Sequence, residues 1–283
     1  MRFGLNTFLV SSGFSDADLP LIKQFKSYGA DVFELAVVEV GGITPSLVVE
    51  SLKESGSERP IVCGAMIPGR DLRGSKEQQA DCRTFISELI VLAEQLGSTM
   101  VCGPFYSETG RADRCSGAER KAQLDLITEN FKPLCEQAET AGITLAFEPL
   151  NRFETDCINT LEQAVDLIER VGSDSLKIHV DTFHMNIEEA DSAAALIAAA
   201  DHVGHFHASA SHRGLIGKDQ VKWQEVLAAL KAINYQGDIV IESFTEDNEV
   251  LAKATSIWRK LYEGPEQLSV EGLQFLRKTW DQC

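Results

Sequence analysis

The chain has 283 residues, 44% of them hydrophobic, a length and composition that suit one α/β barrel or two average domains. Its 43 acidic residues against 26 basic ones give a formal charge of −17, a field that repels phosphate backbones and anionic lipid and so speaks against nucleic-acid and membrane partners. No apolar run approaches the roughly 20 residues of a membrane-spanning helix, and MRFGLNTFLV lacks the apolar core of a signal peptide, so a cytoplasmic protein is expected.

In chain order, short apolar runs alternate with amphipathic stretches. The pattern predicts strands at Phe3–Phe8, Asp31–Val37, Ile61–Met66, Thr99–Cys102, Ile143–Glu148, Leu176–Asp181, Val203–His207 and Asp238–Glu242. Ser75 and Gln78 form a capping-box signature for a helix running to Leu96, and Asn186 with Glu189 reads as the start of another. Gly97 and Gly142 stand where helix C-caps belong. The alanine-rich segment Ala190–Ala200 reads as an ordinary helix, and Ser269–Trp280 as an extra C-terminal one. Eight strands alternating with helices imply a parallel sheet closed into a (β/α)8 barrel, a single domain over residues 1–283. An open doubly wound sheet is the alternative, yet Gly4-Leu-Asn-Thr-Phe carries no glycine-rich phosphate turn after the first strand. The seven cysteines (Cys63, Cys82, Cys102, Cys115, Cys135, Cys157 and Cys283) are odd in number and form no C-x-x-C, so most of them read as buried thiols in a reducing compartment.

All six histidines fall between His179 and His212. The last four predicted strands end in Glu148, Asp181, His207 and Glu242, each one βα unit from the next. In a barrel these positions meet the C-terminal rim, where barrel active sites lie. Side-chain alternation puts Ala146 with Glu148, His179 with Asp181, His205 with His207, and Val240 with Glu242 on one face. A single strand-end carboxylate is ordinarily just solvated. Three crowded together repel one another unless a cation relieves them. Three carboxylates and one imidazole form a hard site for one divalent cation, Mn²⁺ first, with Mg²⁺ or Co²⁺ also suited. Octahedral coordination would leave about two positions for a substrate with adjacent oxygens. Asn6, Glu34, Cys63 and Gly103, on the first four strands, are further pocket candidates by position. His179 and His205 read as interior packing, and His202 and His212 as bland.

The segments Glu148-Pro-Leu-Asn-Arg-Phe-Glu154, Val180-Asp-Thr-Phe-His-Met-Asn-Ile-Glu-Glu189, Gly204-His-Phe-His207 with Arg213, and Ile239-Val-Ile-Glu242 resemble the D-tagatose / D-allulose (D-psicose) 3-epimerases and L-ribulose 3-epimerases, within the xylose-isomerase-like TIM barrels. The likeness extends over Trp223–Gly237 and the tail Leu273-Gln-Phe-Leu. It implies a ketose 3-epimerase in which Glu148, Asp181, His207 and Glu242 hold the metal. Glu148 and Glu242 are then also the acid–base pair, moving the C3 proton of a free ketose through a metal-stabilised enediolate. Glu154, His184 and Arg213 would hydrogen-bond that substrate, with Asn6 beside it by its strand-end position. The family forms homodimers or homotetramers. Two departures stand out: Ala210 replaces a glutamate common in relatives, and Gly217-Lys-Asp219 replaces a Gly-x-Gly turn.

Three rivals remain. An aldose–ketose or hydroxypyruvate-type isomerase shares the scaffold and the enediolate chemistry. An endonuclease-IV-like nuclease would need histidines on more strands and a basic groove. A non-catalytic sugar-binding protein would leave the carboxylate cluster as an unexplained electrostatic cost.

Overall fold

The computed structural model describes residues 1–57, 59–245 and 247–283, and among these eight parallel strands close into a barrel in sequence order. They are β1 Phe3–Asn6, β2 Val32–Val37, β3 Ile61–Gly64, β4 Met100–Gly103, β5 Thr144–Phe147, β6 Leu176–Asp181, β7 Val203–Ala208 and β8 Ile239–Ile241. Gly4 of β1 stands opposite Val240 of β8, which seals the ring. The helices outside it are α1 Pro20–Ser27, α2 Pro45–Glu54, α3 Lys76–Leu96, α4 Gly117–Thr140, α5 Leu161–Val171, α6 Thr182–Glu188, α7 Ser192–Ala198, α8 Trp223–Ala232, α9 Glu249–Thr255 and the C-terminal α10 Pro265–Gln282. None is long and apolar enough to cross a membrane.

Local chemistry sets the element ends. At α3 the Gln78 N–H donates to Ser75 Oγ (3.3 Å) while the Ser75 N–H donates to Gln78 Oε1 (2.9 Å), and Gly97 closes the helix at φ +67°. The pairing expected of Asn186 and Glu189 does not form. Asn186 lies inside α6, which is capped instead by Asp181, whose Oδ1 accepts the Phe183 N–H at 2.6 Å. Glu189 leaves α6 in an extended conformation and accepts the Leu161 N–H at 2.8 Å, and α7 is capped by Asp191. An Asx–Glu spacing alone cannot say which of several acids precedes the helix. The first strand stops at Asn6, two residues early, because the Asn6 side chain caps a 3₁₀ turn at Phe8.

Strand alternation divides the core. Leu5, Phe33, Leu35, Val62, Val101, Leu145, Ile178, Val180 and Ile241 face outward under the helices. Val32, Ile61, Cys63, Cys102, Ala146 and Val240 form a separate apolar cluster inside the barrel. Polar residues also face inward: Asn6, Glu34, Glu148, His179, Asp181, His205, His207 and Glu242, all buried. Gly103 fits where a side chain cannot, since at φ +142° a Cβ would sit 2.2 Å from the Gly64 carbonyl oxygen. Its own carbonyl accepts the Glu148 N–H at 3.1 Å. Cys63, Cys82, Cys102, Cys135 and Cys157 are buried free thiols.

The loops above β3, β4 and β5 are tied by buried Arg73. Its guanidinium donates to the Asp156 carboxylate, to Ser107 Oγ (3.0 Å) and to the Arg111 carbonyl (3.1 Å), while Arg111 reaches Asp71 at 2.9 Å. Cutting one member out of a buried ion network costs about 3 kcal/mol or more. Arg73→Ala should therefore lower the urea midpoint clearly, and an unchanged midpoint would contradict this account of the loops.

Candidate metal centre

Strands β5 to β8 each deliver one side chain to the C-terminal rim. Glu148 follows β5 directly, Asp181 ends β6, His207 lies in β7 opposite Asp181, and Glu242 follows β8 directly. One donor atom from each of the four lies within 4.8 Å of all the others, and all four residues are buried. His207 Nδ1 is 3.6 Å from Glu242 Oε2 and 3.9 Å from Asp181 Oδ2. Neither that nitrogen nor Glu148 Oε1 has a hydrogen-bond partner among the described residues.

Arg213 offsets part of the negative charge. Its Nη1 donates to Asp181 Oδ2 (3.0 Å), Glu242 Oε2 (2.9 Å) and Ser209 Oγ (3.0 Å). Its guanidinium lies over the Phe183 ring at 4.0 Å and the Phe244 ring at 5.0 Å. The residue adopts φ +60°, unusual away from glycine, and is held there by its N–H on the Ala210 carbonyl (2.8 Å) and by Ser243 Oγ on its own carbonyl (2.6 Å).

Burial pushes the Glu148 carboxyl up to about 7, against the pull of nearby His184. Burial works the same way on Asp181, but Arg213, His184 and His207 together hold it below the usual range. His207 is raised well above an ordinary histidine: burial opposes its charge, and Glu34 and Glu242 more than offset that. The donor set fits a divalent cation. Three carboxylates and an imidazole converge, and two of their donor atoms are buried without partners.

His184 stands beside this group, its Nε2 3.4 Å from Glu148 Oε1 and its Nδ1 accepting the Asn151 N–H at 3.0 Å. Asn151 also donates to Glu154 Oε1 (2.8 Å), so Glu154, Asn151, His184 and Glu148 form one connected edge. Arg152 makes a paired contact with Glu188 (2.9 and 3.0 Å), which pins this loop to α6. Asn6 Nδ2 donates to Glu34 Oε1 at 2.5 Å. His179 packs edge-on against His207, ring centroids 4.0 Å apart, whereas His205 is bonded to Glu34 at 2.6 Å. His212 lies out on a loop, 3.2 Å from the Lys218 carbonyl. Cys102 also falls within donor range of His179, His205 and His207, but both of the latter direct Nε2 at Glu34. Asn151, Ser209, Phe183 and Phe244 were not legible as site residues. Glu34 carried a signal, being a lone acid within the apolar run VFELAV.

A family model described as xylose isomerase-like TIM barrel matches residues 22–279. A probable ketose 3-epimerase from Synechocystis sp. is 32% identical over 285 residues, covering 99% of this chain and 97% of that protein. An L-ribulose 3-epimerase from Mesorhizobium japonicum is 30% identical over 280 residues, covering 97% and 93%. The solved structure of a D-allulose 3-epimerase from Methylomonas sp. in complex with D-allulose matches with a TM-score of 0.90 at 26% identity, over 99% of this chain and 97% of that one.

Proposed function

The chain belongs to the xylose isomerase-like TIM barrel family, and we propose that within it the protein is a metal-dependent ketose 3-epimerase acting on free ketoses. The observation that carries this reading is the buried convergence of Glu148, Asp181, His207 and Glu242. The names of the relatives and the D-allulose bound to one of them support the substrate class, a ketohexose or ketopentose. A divalent cation held by these four residues, Mn²⁺ by preference and Mg²⁺ or Co²⁺ in its place, supplies Lewis-acid stabilisation of the charge that develops when a proton leaves C3.

The rest falls to the chain's own groups. Glu148 and Glu242 come from strands three apart around the ring, so they can flank a sugar. One takes the C3 proton and the other returns a proton to the opposite face. Arg213, His184 and Glu154 hydrogen-bond the hydroxyls and carbonyl near the first three carbons. Phe183 and Phe244 keep the Arg213 guanidinium in place and shield it from water. Asn6 contributes through Glu34. Incubation in D₂O tests the chemistry: NMR should show deuterium entering the ketose at C3. Deuterium entering at C1 instead would move the assignment to an aldose–ketose isomerase.

The electrostatics add a pH prediction. Without metal, Glu148 is protonated below about pH 7 and His207 carries its extra proton over a wide range. A cation must displace these protons, so each one displaced makes the apparent affinity about tenfold weaker per pH unit of acidification. Titration calorimetry of Mn²⁺ at pH 6 and pH 8 should show weaker binding, and more protons released, at the lower pH. Equal affinity at both would contradict it.

A further inference from the structure

Glu34 is a fully buried carboxylate on β2, facing into the barrel. A charge there is tolerable only if its lone pairs are met. They are met from three directions. Oε1 accepts from Asn6 Nδ2 (2.5 Å) and His207 Nε2 (2.6 Å), and Oε2 accepts from His205 Nε2 (2.6 Å), with Cys102 Sγ 3.7 Å away. The Asn6 amide cannot turn round, because its Oδ1 already accepts the Phe8 N–H at 2.7 Å. An ionised carboxylate can take all three contacts as an acceptor, and in that arrangement both imidazoles carry hydrogen on Nε2.

For His207 the consequence reaches the rim. With Nε2–H committed to Glu34, the ring is fixed in angle and Nδ1 is the nitrogen left to face Asp181 and Glu242. Glu34 and His207 are on strands three apart around the ring, so the bond crosses the barrel interior and braces one rim residue from the far wall. We propose that Glu34 is a positioning residue that locks His207 in its Nε2–H tautomer and aims the Nδ1 lone pair into the cation site, with Asn6 and His205 holding Glu34 in turn. The inference rests on reading the rim cluster as a metal centre. It adds a residue that touches neither cation nor substrate. Partners of this kind, when removed, typically cost 10–100-fold in metal affinity.

Two measurements test it. Calorimetry should show Mn²⁺ binding to Glu34→Leu about 10–100-fold more weakly than to the unaltered protein. In ¹⁵N NMR of the Mg²⁺-loaded unaltered protein, His207 should carry its proton on Nε2 and have a metal-shifted Nδ1. A folded Glu34→Leu variant that binds Mn²⁺ as tightly as the parent overturns the proposal. If that variant does not fold, the spectrum of the unaltered protein decides: hydrogen on His207 Nδ1 overturns it and hydrogen on Nε2 upholds it. Failure of the unaltered protein to bind Mn²⁺ at all would instead remove the metal reading beneath it.

Discussion

Replacing Glu148 or Glu242 with glutamine is expected to lower kcat by about 10²–10⁴-fold or more at saturating Mn²⁺, because positioned proton transfer contributes that much. Glutamine keeps the shape and one oxygen at each position, so the loss isolates the proton-transfer role from gross change in the rim. The two substitutions should also differ from each other. If one glutamate serves each face of C3, a variant lacking one still exchanges the C3 hydrogen of one epimer with D₂O while failing to produce the other. Both buried carboxylates have ionisable neighbours: Glu148 has His184, and Glu242 has His207 and Arg213. Near-parental turnover in either variant would remove that residue from the acid–base pair.

Stripping the metal is expected to abolish turnover to at least about 10³-fold below the loaded protein, since a Lewis acid at a developing oxyanion is worth several kcal/mol. The same treatment has a readout independent of catalysis. Glu148, Asp181 and Glu242 crowd together, and Arg213, His207 and His184 offset only part of their charge. A cation held at 100 times its dissociation constant stabilises the fold by about 2.7 kcal/mol. For a chain of this size that is a rise of roughly 4–5 °C in Tm. Differential scanning calorimetry with chelator and then with Mn²⁺ checks it. Turnover that survives complete removal of metal would contradict the proposal, whatever the melting curve does.

Much of this was legible in the sequence, for a physical reason. A parallel barrel repeats one βα unit and alternates its side chains with period two, so strand ends and inward faces can be counted off. That is why the sequence places Glu148, Asp181, His207 and Glu242 at one rim, and why the expected strands match the observed ones to within two residues at every end. Closure of the ring is what the sequence does not express locally. Glu34 and His207 are 173 positions apart and meet only because β2 and β7 face each other across the interior. The cradle of Phe183 and Phe244 around Arg213 depends on α6 and two separate loops. Glu154 on its loop and His184 in the two-turn helix α6 have no periodicity to reveal them, and resemblance alone singles them out. The Asn186–Glu189 pairing failed because acids are dense in that stretch, and the true cap, Asp181, is also a rim residue.

The most direct test is a product analysis. The protein would be stripped with chelator, reloaded with Mn²⁺ and incubated with D-fructose, D-allulose, D-tagatose and L-ribulose, and the products resolved by chromatography that separates C3 epimers from aldoses. The account predicts C3 epimers only, formed only after reloading. Aldose products, or no conversion by protein shown to hold Mn²⁺, would contradict it.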